Sequence, residues 1–177
     1  MTRVKYVTRE QSADGAIFDR LEKERKLPTA NVFLALTQAP DLLDGFLTYA
    51  NALRGSCLSP KLRELAILTV GYCTASTYEI AHHQSHAQKA GVSPEQLKEV
   101  AKFDESTLFT EQEKAVMVFA RESTLRVNVS EPVWRGVAAF LSEPELIALT
   151  LVVAWYNSGV RLMGALDIDL EPGYSLP

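Results

Sequence analysis

The stretch Cys73-Thr-Ala-Ser76-Thr-Tyr-Glu79-Ile-Ala-His82-His83-Gln-Ser-His86 decides how this chain is read. Ser76-Thr-Tyr-Glu79 fits a capping box, in which the first side chain accepts from the backbone of the fourth residue and the fourth reaches back. Gly91, which tolerates a positive φ, closes the segment. The spacing therefore predicts a helix over Thr77–Ala90. All three histidines of the protein fall within five positions of that helix. Glu79 shares it, and a second carboxylate, Glu64, lies twelve residues before Ser76 on the preceding apolar segment.

Working outward, the same grammar recurs. Ser93-Pro-Glu-Gln96, Thr110-Glu-Gln-Glu113 and Ser142-Glu-Pro-Glu145 repeat the capping box. Pro60, Pro94 and Pro132 stand at or near first-turn positions, where a missing N–H does no harm. No segment shows sustained period-2 alternation bounded by turn residues. The chain is expected to be all-α, with helices over about 13–26, 31–37, 40–53, 60–72, 77–90, 94–101, 111–123, 131–140 and 143–163. Residues 1–177 read as a single helical domain, with an N-terminal extension over about 1–30 and a Pro/Gly-containing tail over about 167–177. The tail is expected to lie over the surface or over a neighbouring subunit. Glu64-Leu-Ala-Ile-Leu-Thr-Val aligns with Glu145-Leu-Ile-Ala-Leu-Thr-Leu, which suggests a duplicated helical unit or two amphipathic helices that look alike. In that register Asn157 stands opposite Ser76, Val160 opposite Glu79 and Gly164 opposite His83, so the second copy would lack the polar cluster.

The chain has 177 residues, 47% of them hydrophobic and 23% charged, ordinary for a globular protein that buries its own core. A net charge of −4 with scattered basic residues argues against a nucleic-acid partner, because no basic stripe is present to displace counterions. The N-terminal Met-Thr-Arg-Val-Lys-Tyr-Val-Thr-Arg-Glu lacks the apolar run of a signal peptide. Apolar stretches such as Leu146–Trp155 read as too short to span a bilayer. A cytoplasmic protein without membrane association is expected. The two cysteines, Cys57 and Cys73, make neither a disulfide framework nor a Cys-x-x-Cys pair.

Glu79, His82, His83 and His86 cluster on one broad face at 3.6 residues per turn, with Glu79 and His83 an i, i+4 pair. If the helix carrying Glu64 runs back antiparallel, Glu64 lies about 13 Å and His83 about 10 Å from the turn, at about 1.5 Å per residue. The groups can then meet side by side. A carboxylate–imidazole–carboxylate site moves protons near neutral pH. Plainer readings stand beside it: the cap alone accounts for Glu79, Glu64 reads as a surface glutamate, and His82 and His86 read as solvent-facing or as hydrogen-bonded structural residues. A metal is the competing sharp reading, since Glu79-Ile-Ala-His82 is the Glu-x-x-His of di-iron bundles. Such sites need a second copy, which is absent, and no His-Glu-x-x-His occurs. No metal ligand and no cofactor are assigned. Cys73 at the end of an apolar helix reads as an inert core thiol.

Leu62-Arg-Glu64-Leu-Ala-Ile-Leu followed by Tyr78-Glu79-Ile-Ala-His82-His83 resembles the carboxymuconolactone decarboxylase superfamily, which includes the alkylhydroperoxidase D-like proteins. Ala90-Gly91-Val-Ser-Pro-Glu-Gln-Leu97 and Leu108-Phe-Thr-Glu-Gln-Glu-Lys-Ala-Val-Met-Val-Phe119-Ala fit its downstream helices. The resemblance covers about 31–161. It implies an alkylhydroperoxidase D-like helical bundle that assembles as a homo-oligomer, a trimer or hexamer or in some members a dimer. In the peroxidase branch a Glu precedes a Cys-x-x-Cys and a His. By that spacing Glu64 and His83 match, while Ser76 and Glu79 stand where the cysteines would be. Disulfide-based peroxide reduction is therefore not expected. In the decarboxylase branch a Glu and a His four apart occupy this helix, as Glu79 and His83 do.

The resulting expectation is a cofactor-free acid/base enzyme acting on a small organic acid or lactone. His83, Glu79 and Glu64 are its catalytic residues. Arg161, Tyr78 and Ser76 are candidate substrate contacts. Arg161 is preferred to Arg63 as the cation for a substrate carboxylate because it interrupts an apolar helix. The alternatives are an alkylhydroperoxidase D-like peroxidase-related protein with an altered redox site and a non-catalytic helical oligomer.

Overall fold

The computed structural model describes residues 2–12, 15–25 and 30–176. Among these residues it contains α-helices and two short 3₁₀ segments, Arg9–Gln11 and Val100–Lys102, and no strand. The helices are α1 (Gly15–Arg25), α2 (Asn31–Leu36), α3 (Pro40–Arg54), α4 (Pro60–Cys73), α5 (Thr77–Lys89), α6 (Pro94–Glu99), α7 (Glu111–Arg126), α8 (Glu131–Ala138) and α9 (Glu143–Leu166). The all-α expectation holds. The ends expected for α1, at Ala13 and Lys26, lie outside the described residues. The predicted 94–101 helix tightens to 3₁₀ after Glu99, and α7 runs on past the expected Ser123 to Arg126. Its end is a tight turn in which Asn128 N–H donates to the Arg126 carbonyl at 2.8 Å around Val127 (φ 68°).

The residues fall into two compact units, 1–55 with 162–173 and 56–161 with 174–177. In the first, Ile17, Phe18 and Leu21 of α1 pack with Leu43 and Leu47 of α3, with Phe33, Leu34 and Leu36 of α2 packed against them. Arg20 ties α1 to α3 by bonding Glu24, the Asp44 carboxylate and the Thr48 hydroxyl.

The second unit is built on α4. Its residues Glu64 to Gly71 are all buried, so this helix has no solvent face along that run. Along this run only Glu64 and Thr69 are polar, and α4 packs against α5 and α7. Leu65 and Leu68 join Ala87, Val92, Leu97, Val100, Phe103, Phe109 and Met117 in one core cluster. Burial of such side chains contributes about 1.5–3 kcal/mol each relative to exposure. Two capping boxes form as expected, at Ser93/Gln96 and Thr110/Glu113. At α9, Glu145 reaches back to the Ser142 N–H at 2.9 Å. Gly91 adopts φ 95°, and Val92 N–H bonds the Ala87 carbonyl at 2.9 Å, closing α5.

The turn from α4 to α5 sets the site. Ser76 N–H bonds the Gly71 carbonyl at 2.9 Å, and Ala75 between them takes φ 52°. Gly71 lets the two helices approach closely: a Cβ there would lie 3.0 Å from Ile80 Cγ1 and 3.6 Å from Glu79 Cβ. Helix α9 continues unbroken to Leu166 and, by length and composition alone, is long and apolar enough to cross a membrane. The stretch Leu146–Trp155 is only part of this helix, which was expected over 143–163 and ends three residues later. Leu149, Val152 and Val153 on α9 are fully buried, as in a core helix.

Candidate active site

Helices α4 and α5 run back against each other and bring three sequence-predicted residues together. His83 Nδ1 lies 2.7 Å from Glu64 Oε2, and its Nε2 lies 3.0 Å from Glu79 Oε1. An ionised carboxylate only accepts, so both ring nitrogens donate and the ring is an imidazolium held between two anions. The group is sheltered: the side chains of His83, Glu64 and Glu79 are 15%, 5% and 8% exposed.

Burial alone would favour neutral imidazole, but the bonds and charges of Glu64 and Glu79 prevail and raise His83 from 6.5 to about 10. Burial likewise pushes the Glu64 carboxyl upward. The His83 bond and the charges of His83, Arg63 and His86 outweigh it, and Glu64 sits below its usual value. Arg63 supports Glu64 directly, with Nε and Nη2 each 3.3 Å from Oε1. Glu64 is thus no surface glutamate; it is the deep anchor of the group.

Glu79 is resolved in the same way. Ser76 Oγ accepts from the Glu79 N–H at 3.3 Å, so the N-cap is real. Among the described contacts the Glu79 carboxylate does not complete the box but turns across the helix to His83. Two neighbours complete the setting. Tyr156 of α9 meets the His83 ring edge-on, centroids 5.0 Å apart at 87°, and His86 lies tilted at 5.4 Å. Tyr156 and Gly71 were missed by sequence reasoning; a glycine inside an apolar helix was the available signal for the latter.

The other candidates are placed differently. The described side-chain contacts of Ser76 and Arg161 lie on their own helices: Ser76 caps α5, and Arg161 Nη1 donates to the Asn157 carbonyl and Oδ1, both at 2.7 Å. Tyr78 is buried and stacks on His82 at 4.3 Å. The guanidinium beside the group is that of Arg63. Cys73 is partly buried, and burial raises its thiol despite the opposing charge of Arg121. Among the described residues no group of three or more His, Cys, Asp or Glu side chains is arranged to hold a metal ion.

An all-helical protein with a carboxylate–imidazolium–carboxylate group at an antiparallel helix turn is the class that fold and site define. The sequence profile of the carboxymuconolactone decarboxylase family matches residues 40–122. In fold the chain is similar to a peroxidase-related protein of Ralstonia eutropha with an alkylhydroperoxidase AhpD core: TM-score 0.84, 18% identity, covering 97% of this chain and 93% of that one. It is also similar to a variant of the debrominase Bmp8 in complex with 2,3,4-tribromopyrrole, with TM-score 0.83, 19% identity and the same two coverages of 97% and 93%. A peroxidase-related protein from Silicibacter gives TM-score 0.79 at 17% identity, over 98% of this chain and 97% of that one. No curated protein matches the sequence. The chain thus matches the carboxymuconolactone decarboxylase family over residues 40–122 and shares its fold with an alkylhydroperoxidase AhpD core.

Proposed function

We propose that the protein is a cofactor-free acid/base enzyme that moves a proton to or from carbon in a small organic acid or lactone. The observation that carries this reading is the double clamp on His83, 2.7 Å from Glu64 and 3.0 Å from Glu79. Glu64, buried and braced by Arg63, orients the ring and stabilises its charge. Glu79 and Nε2 form the working end. Substrate entering there displaces the Glu79 carboxylate from Nε2. Glu79 is then the base for a C–H proton, and His83 is the acid that returns one to carbon. In a decarboxylation the C–C bond to the leaving carboxylate breaks, CO₂ departs, and the electron pair left on carbon takes the proton from Nε2. Glu79 then reprotonates the ring from solvent. Arg63, paired with Glu64 at 3.3 Å, supplies a cation to offset the charge of an acidic substrate. The exposed Ile147 and Leu151 on α9 suit packing against a second copy of the chain.

The test is turnover on a panel of small carboxylic acids and lactones, followed by CO₂ release and ring opening. Glu79→Gln and His83→Ala each lower turnover by about 10²–10⁴-fold, the contribution of a positioned acid or base, with helical circular dichroism unchanged. Full turnover by both variants contradicts the reading.

A further inference from the structure

Three rings stand in a column on α5. Tyr78 and His82 stack with centroids 4.3 Å apart at 15°, and Tyr174 of the C-terminal segment stacks on His82 at 4.0 Å and 16°. Burial falls outward along the column. Tyr78 is 7% exposed, His82 is partly exposed and Tyr174 is 36% exposed. Tyr78 is therefore the fixed base and Tyr174 the cover. The segment carrying Tyr174 follows Gly173 (φ 94°), and a Gln84 Nε2 bond to the Ser175 carbonyl at 2.7 Å fixes it to α5. Residues 172–176 are all exposed, so little buried surface holds them.

The column adjoins the proton-transfer group. Tyr78 and His82 are one i, i+4 pair on α5, and Glu79 and His83 are the next, about 100° round the helix. Adjacent Cα atoms are about 3.8 Å apart, so the two pairs are immediate neighbours on one helix. A parallel stack at 4.0 Å selects for flatness: a planar ring fits the face that Tyr174 covers, and a puckered one does not.

We propose that the outer face of His82 is a stacking subsite for a planar aromatic or conjugated ring of the substrate, and that Tyr174 is a strap occupying it in the free protein. This rests on the proton-transfer reading only in taking the ring to be part of the substrate of that site. The strap is a self-stacked competitor. A ligand ring must displace it, so the free protein binds such a ring more weakly than the bare platform does. An aromatic pair of this kind changes an equilibrium by about two- to tenfold.

Benzoate and cyclohexanecarboxylate are matched probes of equal charge, one flat and one puckered. Each is titrated into the full chain, Tyr174→Phe and Tyr174→Ala, with the His82 Cε1–H resonance as readout. The free resonance shifts in Tyr174→Ala, because the covering ring is gone, and stays in place in Tyr174→Phe. Benzoate binds Tyr174→Ala about two- to tenfold more tightly than the full chain or Tyr174→Phe, and cyclohexanecarboxylate gains nothing. An unmoved His82 resonance in Tyr174→Ala, an unchanged benzoate affinity, or an equal gain for cyclohexanecarboxylate overturns the proposal. Because the titration reads binding and not turnover, its failure leaves the roles of Glu79 and His83 standing, and failure of the turnover test leaves the subsite standing.

Discussion

Replacing Glu64 by Gln removes one of the two anions that hold the His83 proton and leaves the shape of the site nearly unchanged. His83 is raised from 6.5 to about 10. At 1.36 kcal/mol per pH decade that is about 5 kcal/mol of preference for the charged ring. Glu64 and Glu79 sit at similar distances, 2.7 and 3.0 Å, so each accounts for roughly half. In Glu64→Gln, His83 should therefore titrate about one to two pH units lower, within the range of a single adjacent carboxylate. The assay is the pH dependence of the His83 Cε1–H resonance.

The sign of the stability effect follows from the same shifts. A raised His83 stabilises the fold fully below 6.5, its unfolded value, and that contribution is lost as pH rises through about 10. A lowered Glu64 stabilises above 4.5 and is lost as pH falls through its folded value. The cost of Glu64→Gln should be greatest between these limits. There it should be about 2–3 kcal/mol, or roughly 5–10 °C in Tm for a chain of this size. It should fade at strongly alkaline pH. A wild-type His83 that titrates near 6.5, or one that titrates identically in Glu64→Gln, refutes the clamp.

Two further outcomes follow from the turn and its surroundings. Gly71→Val places side-chain atoms where even a Cβ would stand 3.0 Å from Ile80 Cγ1, so Ile80 on α5 must give way. The cost should be about 1–3 kcal/mol in chemical denaturation, with the His83 resonance displaced; an unmoved resonance and unchanged stability contradict the close crossing. With iodoacetamide at pH 7, the exposed Cys57 should label well before Cys73, whose thiol is raised by burial. Faster labelling of Cys73 would reopen thiol chemistry at this helix end.

Much of this was legible in the sequence, for physical reasons that differ by residue. Helix starts were readable because capping is local: Ser93 and Gln96, or Thr110 and Glu113, meet within a single turn. The pairing of Glu79 with His83 followed from i, i+4 geometry, and that of Glu64 with His83 from helix rise along two antiparallel rods. What the local pattern left open was the side-chain choice. Glu79 could complete the box at Ser76 or cross to His83, and only the charge and shelter of the tertiary site decide for His83. The plainer reading of Glu64 as a surface glutamate stayed open beside its catalytic reading, because one apolar-rich segment does not reveal that α4 is buried from Glu64 to Gly71. Tyr156 was invisible because it arrives from α9, more than seventy residues away in sequence. Arg161 attracted attention as a charge in an apolar helix, yet its guanidinium is satisfied one turn back by Asn157.

The central claim is that the Glu64–His83–Glu79 group moves a proton at carbon. The most direct measurement is deuterium incorporation from D₂O into a panel of small acids and lactones, read by NMR, with wild type beside Glu79→Gln and His83→Ala. The account predicts incorporation at a single carbon by the wild type, reduced at least about 100-fold in both variants. Incorporation by both variants at the wild-type rate, or none by the wild type on any compound it converts, would contradict it.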